Sequence, residues 1–233
     1  MKNRIRKKLT STDGISVLFG MLFFLVASIL SAVILSASVT AIKSVTSDRK
    51  SEQNYLTCSS AAKTLRDAVT GVTITEEKTD KTTKKNNKTT TSTSYKWNLD
   101  TNDTNSQSFG ESYLKSWMSD LIQSSINTNK ATHTITIEGT DNMDTVEATV
   151  TIQKDENNTV TVGNNQYFPY DLTIVFVSGD GADSCRLTLS LEGQCSGTET
   201  SSGSNTITTT TDLSYSWYGA NIIYGDASEE VQS

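Results

Sequence analysis

The distribution of apolar residues divides the chain into a membrane-like segment and a water-facing remainder. Residues Ile15 to Ile42 contain neither a charged residue nor a proline. As a helix, a segment of this length would be about 42 Å long, whereas a bilayer core needs roughly 20 apolar residues. The pattern therefore predicts a transmembrane helix over residues 15–42.

The helix is predicted to continue beyond the apolar segment. Residues 15–70 contain no proline, and Gly20 is the only glycine. In the second half, apolar residues recur at spacings of three and four, at Tyr55, Cys58, Ala62, Leu65 and Val69. Such a stripe predicts that residues 43–70 extend the helix and lie on a domain. Gly71 is a natural end for this helix.

From residue 131 onward the apolar period becomes the two-residue alternation of strands. The residues that share one face of a strand are Ala131, His133, Ile135, Ile137; Val146, Ala148, Val150, Ile152; Leu172, Ile174, Phe176; and Cys185, Leu187, Leu189, Leu191. One or two closing strands are indicated by Leu213, Tyr215 and Trp217, and then by Ala220, Ile222 and Tyr224. A short strand is also expected at residues 160–162. Alternation of this kind is typical of an antiparallel sheet with one wet face. The predicted fold class is α+β: a long N-terminal helix, transmembrane in its first half, packed on an antiparallel β-meander over residues 131–233.

Residues 71–130 are predicted to be a variable loop region with one short helix. Residues 76–94 are low-complexity Lys, Thr and Asn, which bury little apolar surface, so we expect a flexible loop. The short helix is expected over residues 112–126, with its apolar face at Tyr113, Leu114, Trp117, Met118, Leu121 and Ile122. A second mobile loop is expected over the Ser/Thr/Gly-rich residues 196–211.

The charges that flank the apolar segment indicate its orientation. Lys2, Arg4, Arg6, Lys7 and Lys8 precede the segment, whereas Lys43, Asp48, Arg49 and Lys50 follow it as a mixed set. The positive-inside rule therefore predicts that residues 1–14 form a basic cytoplasmic leader and that the C-terminal domain is extracytoplasmic. The formal net charge of −6 argues against nucleic acid as a partner. A removable signal peptide, cleaved near residues 37–41, remains an alternative.

The sequence offers few residues for catalysis. The only histidine, His133, lies on the apolar face of a predicted strand, where a core histidine is the simplest interpretation. No Cys or His spacing suits zinc, and no glycine-rich loop suits phosphate. The acidic turns at residues 141–144 and 180–183 could hold calcium, but Asp, Asn and Gly are also ordinary turn residues. We therefore expect no enzyme activity, no metal and no cofactor.

Three cysteines permit one disulfide in an oxidising compartment. Cys185 and Cys195 flank a short strand and turn, so they are the favoured pair and Cys58 is left over. The alternative is three reduced, partly buried thiols.

The apolar helix also carries small side chains every four residues, at Ser28, Ala32, Ser36 and Thr40. A face of small residues allows two helices to approach closely in lipid or in a bundle. The alternative is a lipid-facing helix in which these residues have no packing partner.

The N-terminus resembles that of prepilins, in which a short basic leader ending in glycine precedes an unbroken apolar helix. MKNRIRKKLTSTDG followed by ISVLFGMLFFLVASIL has this arrangement. Type IV pilins and the pseudopilins of secretion and competence systems share it. The resemblance implies cleavage by a prepilin peptidase between Gly14 and Ile15. The family usually has glutamate as its fifth mature residue, and this chain has Phe19 there, which is typical of some minor subunits.

The resemblance also implies a fold and a function. Pilins combine a long helix, a variable loop, an antiparallel sheet and a C-terminal disulfide loop, to which Cys185 and Cys195 would correspond. Their helices bundle in the filament core and their sheet domains lie outside. The expected function is a minor, pilin-like structural subunit of a bacterial envelope filament or of a secretion or DNA-uptake apparatus. The alternative is a single-pass membrane anchor that carries an extracytoplasmic binding domain.

Overall fold

The computed structural model describes residues 12–85, 88–101, 103–123, 129–139, 144–179, 183–204 and 206–224, with side chains from residue 19 onward. The chain divides into two compact units, with the boundary after Lys50. The first unit contains the apolar helical segment. The second contains the rest of the helix and the sheet.

One helix, α1, runs without interruption from Thr12 to Thr70, as the absence of proline predicts. It ends at Gly71, whose backbone N–H donates to the Asp67 carbonyl at 3.3 Å. A side chain at residue 71 would overlap the Ser106 hydroxyl, so glycine here allows close packing against Ser106. The predicted extension of the helix through residues 43–70 is confirmed.

The second unit is built on a seven-stranded sheet in which every neighbouring pair is antiparallel. Its strands are β1 (Val72–Lys85), β2 (Lys88–Thr101), β3 (Lys130–Ile137), β4 (Val146–Lys154), β7 (Tyr170–Ser178), β8 (Cys185–Ser202) and β9 (Thr206–Tyr224). β5 (Val160–Val162) and β6 (Asn165–Tyr167) form a separate two-stranded sheet. The spatial order is β2-β1-β9-β8-β7-β4-β3. The run from β3 to β9 in this order is the predicted meander.

A short helical segment lies between β2 and β3 along the chain. Helix α2 (Thr104–Phe109) leads through a π-helical turn (Gly110–Leu114) into helix α3 (Lys115–Gln123). Asp103 caps α2, because its carboxylate accepts the Ser106 N–H at 2.8 Å. The predicted helix over residues 112–126 is confirmed as far as Gln123, and residues 124–126 lie outside the described ranges.

The core lies between the sheet and the second half of α1. Cys58, Ala62, Leu65 and Val69 are buried, and they form one cluster with the inward residues of the sheet. Leu114, Met118 and Leu121 of the short helical segment join the same cluster. The prediction for Tyr55 was wrong: it is 45% exposed, and Asn54 is buried in its place.

The predicted flexible loop over residues 76–94 is instead a β-hairpin. β1 hydrogen-bonds to β2 on one side and, from Thr73 to Thr83, to β9 on the other. Ladder hydrogen bonds on both edges and the β-branched threonines favour strand formation even where few side chains are buried. Low complexity therefore indicated the surface position of residues 83–85 and 88–94 correctly, but it gave the wrong conformation and missed the partly or fully buried residues 76–80.

The predicted mobile loop over residues 196–211 is likewise mostly strand. β8 continues to Ser202 and β9 begins at Thr206, with register pairs from Ser196–Ser214 to Ser202–Thr208. Gly203 turns the chain with φ of 100°, a conformation that glycine adopts readily. The loop is thus reduced to the tip of a long hairpin.

Candidate functional site

The apolar half of α1 is the most unusual surface of the molecule. Every large apolar side chain described between Phe19 and Val45 is exposed, by 43% at Val26 to 76% at Phe24. The helix is long and apolar enough to cross a membrane. A continuous apolar surface of this extent marks a membrane or protein contact. The segment is therefore the candidate functional site of this chain.

Three hydroxyl groups in the apolar segment are hydrogen-bonded within the helix itself. The Ser28 hydroxyl donates to the Phe24 carbonyl at 2.8 Å, Ser38 to Ile34 at 2.8 Å, and Thr40 to Ser36 at 3.0 Å. Each bond reaches back one turn, a common arrangement for Ser and Thr in helices. These side chains can therefore leave water without an unpaired donor, which would otherwise be costly.

The predicted small-residue face lies entirely within this regular helix. Ser28, Ala32, Ser36 and Thr40 repeat every four residues on α1, and all four are exposed. Gly20, two turns earlier, has nothing within 4 Å of the position a Cβ would occupy. The face is therefore open to contact with lipid or with a second helix.

The predicted cleavage site lies at the start of α1. Gly14 and Ile15 are in the first turn of a helix that begins at Thr12, and their side chains are outside the described part of the chain. Phe19, at the position of the family's glutamate, is 55% exposed. Cleavage between Gly14 and Ile15 stays a prediction.

The predicted Cys185–Cys195 disulfide is inconsistent with the sheet. Both residues lie on the single strand β8, and ten residues of strand extend roughly 30 Å. A disulfide requires Cα atoms about 4.4–6.8 Å apart. All three cysteines are buried free thiols in this structure. The error came from expecting a turn between them, where the strand instead continues through Gly193.

Cys185 has a different neighbour, Cys58 of α1. The Cys58 thiol donates to the Cys185 carbonyl oxygen at 3.7 Å. Burial, together with the adjacent Cys185 thiol, raises the pKa of Cys58 to about 12. This pairing joins the helix to the first residue of β8, and sequence spacing contained no signal for it.

His133 lies on the apolar face of β3, as predicted, but its ring is stacked against a helix. The imidazole and the Trp117 indole are parallel within 5°, with centroids 4.5 Å apart. Burial lowers the pKa of His133, and the nearby Asp120 partly offsets this effect. His133 Nε2 has no hydrogen-bond partner among the described residues. The contact packs α3 on β3.

One buried acid was not anticipated from the sequence. Glu76 is 2% exposed on the core face of β1, and Tyr215 Oη donates to its Oε2 at 3.4 Å. Burial raises the pKa of Glu76, while Tyr215 and Lys78 lower it in part. The alternation of Val72, Ile74 and Glu76 would have placed it inward, had residues 76–94 been recognised as strand.

Within the described ranges, no group of three or more His, Cys, Asp or Glu side chains could hold a metal ion. The two acidic turns considered for calcium lie partly outside those ranges, at residues 141–143 and 180–182.

These features together define a pilin-like architecture: a long apolar N-terminal helix whose second half packs on an antiparallel β-sheet. No protein-family model, no curated protein and no solved structure matches the chain significantly. The pilin-like architecture therefore rests on the helix, the sheet and their shared core alone.

Proposed function

We propose that the chain is a minor, pilin-like structural subunit of a bacterial envelope filament or of a secretion or DNA-uptake apparatus. The observation that carries the proposal is the exposed apolar segment, continuous as one helix with a second half buried against a sheet. The first half of the helix is thus available to lipid or to other helices, and the second half is part of the core of a folded domain.

The charges around the helix support a membrane-inserted precursor. The basic leader of residues 1–14 holds five Lys or Arg residues, which the positive-inside rule retains in the cytoplasm. The sheet domain then lies outside the cell membrane. From there, the subunit could be extracted into a surface filament.

The proposed partners follow from the same helix. Before assembly the segment contacts the bilayer and a prepilin peptidase, which cuts after Gly14. After assembly it contacts the helices of other pilin-like subunits through Ser28, Ala32, Ser36 and Thr40. The net negative charge argues against nucleic acid as a direct partner.

Phe19 favours a minor over a major subunit. In the family, the glutamate at this position is thought to meet the N-terminal amine of a neighbouring subunit. An exposed phenyl ring offers no charge for that contact, so a subunit with many identical neighbours would lose it repeatedly. A subunit at one end of a filament loses it only once.

N-terminal sequencing of the mature protein from its native membrane tests the proposal. A terminus at Ile15 is expected for the pilin-like subunit. An intact Met1 would instead support the alternative, a membrane-anchored binding domain. Phe19 and the bilayer-spanning length of the segment are also compatible with that alternative. A terminus near residues 38–42 would indicate ordinary secretion.

A matched pair of variants makes the same test sharper. Gly14→Val should abolish processing, because it places a bulky side chain at the cleavage position. Ser11→Val, three residues earlier, should leave processing unchanged. Equal migration of both variants with the wild type on a gel would refute processing at Gly14.

A further inference from the structure

We propose that Cys58 and Cys185 form a disulfide bond that joins helix α1 to strand β8, with Cys195 remaining a free thiol. Two contacts hold these elements together at this point. The Cys58 thiol reaches the Cys185 carbonyl at 3.7 Å. One turn earlier on the helix, Asn54 Nδ2 donates to the Asp183 carbonyl at 2.7 Å.

The local packing fixes the approach of the two elements. Asn54 and Cys58 are each 0% exposed, and Cys185 is 3% exposed. A side chain at Gly179, at the end of β7, would overlap the Asn54 amide, so the strand end approaches the helix closely. Cys58 and the first residue of β8, Cys185, are therefore in contact in the core, and proximity of this kind is the first condition for a disulfide.

Cys195 is excluded by its position. It lies on the same strand as Cys185 but ten residues further along, beside Glu76 and Tyr215. A thiol there cannot reach either of the other two. The third cysteine has a distinct environment and serves as an internal control.

Bond formation needs an oxidant, which we take to be a disulfide-bearing compound or protein. One cysteine sulfur, as thiolate, attacks the oxidant's S–S bond, forms a mixed disulfide and releases one thiol. The second cysteine sulfur then attacks the mixed disulfide, forms the Cys58–Cys185 bond and releases the second thiol. Two electrons and two protons pass from the cysteines to the oxidant, whose sulfurs leave as two thiols.

The timing of this reaction follows from burial. In the folded protein both thiols are inaccessible, and the raised pKa of Cys58 leaves almost no thiolate to attack. The bond therefore forms while the chain folds, before α1 is fully docked. Once formed, it closes a loop between residues 127 positions apart, and long loops restrict the unfolded chain most.

The sequence makes the bond easy to map. Trypsin cleaves after Lys50, Lys63, Lys154 and Arg186, so each cysteine falls in its own peptide, at residues 51–63, 155–186 and 187–233. The full-length chain in detergent is unfolded, then refolded either with a mixture of oxidised and reduced glutathione or with a phosphine reductant. Non-reducing digestion and mass spectrometry follow.

The expected result is one linked pair, peptides 51–63 and 155–186, in the oxidised sample only. The oxidised protein should have a melting temperature about 10 °C above that of the reduced protein. Cys195→Ala should retain the linked pair, whereas Cys58→Ala should lack it and melt like the reduced wild type. Three alkylatable thiols after oxidative refolding, or any link to peptide 187–233, would overturn the proposal.

This outcome is independent of processing and assembly. A chain that is never cut at Gly14 can still form the bond in refolding, and a processed subunit can lack it.

Discussion

Tyr215 Oη on β9 donates a hydrogen bond to Glu76 Oε2 on β1 across 3.4 Å, inside the core. Burial raises the pKa values of Tyr170 and Cys195 nearby, and the same carboxylate adds to both increases. A single acid thus influences side chains from three neighbouring strands. Such an acid is costly to ionise, since burial opposes its charge.

Glu76→Gln is expected to stabilise the protein near neutral pH by about 1 kcal/mol. The raised pKa of Glu76 means that the folded state holds its proton more strongly than the unfolded state. Its contribution to stability is present below the unfolded pKa near 4.5 and is lost as pH rises through the folded pKa. Wild type and variant should therefore converge in acid and separate at neutral pH.

Urea unfolding at several pH values measures this difference. Glu77→Gln is the matched control, because Glu77 lies on the opposite face, with its side chain 38% exposed beside Lys96. A Glu76→Gln protein less stable than wild type at pH 7 would contradict the prediction.

The stack of His133 on Trp117 gives a second pH dependence of the opposite sign. Because burial lowers the pKa of His133, the unfolded state binds the proton more readily. Stability should therefore fall as pH drops through the unfolded histidine value of about 6.5. His133→Phe keeps an aromatic ring on Trp117 and should remove this fall.

Imidazole NMR signals test the prediction directly, since the chain has one histidine. Their titration midpoint should lie below 6.5 in the folded protein. Trp117→Ala should move it upward by exposing the ring. A midpoint at or above the unfolded value would show that the stack does not desolvate the imidazole.

The contact between α1 and the sheet depends on a small residue at position 62. Ala62 is 0% exposed at the centre of the helix stripe, so Ala62→Leu should overpack the core and destabilise the protein by about 1–3 kcal/mol. Ser60 is exposed on the same turn, and Ser60→Leu should change stability little. The melting temperatures of both variants are measured by thermal unfolding in detergent. Equal melting temperatures would show that Ala62 is not tightly packed against the sheet.

Two substitutions test whether the small-residue face contacts another helix or lipid. If Ser28, Ala32, Ser36 and Thr40 contact another helix, Ala32→Leu should weaken self-association of the segment in membranes about tenfold. Val33 lies next to Ala32 and is 60% exposed, and Val33→Leu should have little effect. A genetic reporter of helix association measures both. No loss for Ala32→Leu would favour the lipid-facing alternative.

Alternation in the sequence located the meander because each of its strands has one dry face. A break in this alternation also coincides with the β-bulge of β9. The inward residues run Tyr215, Trp217 and then, after three positions, Ala220. The pairing with β8 shifts there, between Ser190 and Glu192, and Gly219 adopts φ of 66°, as bulges commonly require.

The sequence by itself determined the membrane-like helix, its amphipathic continuation and the meander, because hydrophobic periodicity is a local property of the chain. Only the tertiary structure decided that residues 72–101 form two more strands, since their ladder depends on β9, more than 100 residues away. It alone decided that Cys185 lies beside Cys58 and far from Cys195. Which residues meet across such distances depends on strand order and helix docking, and spacing along the chain contains neither.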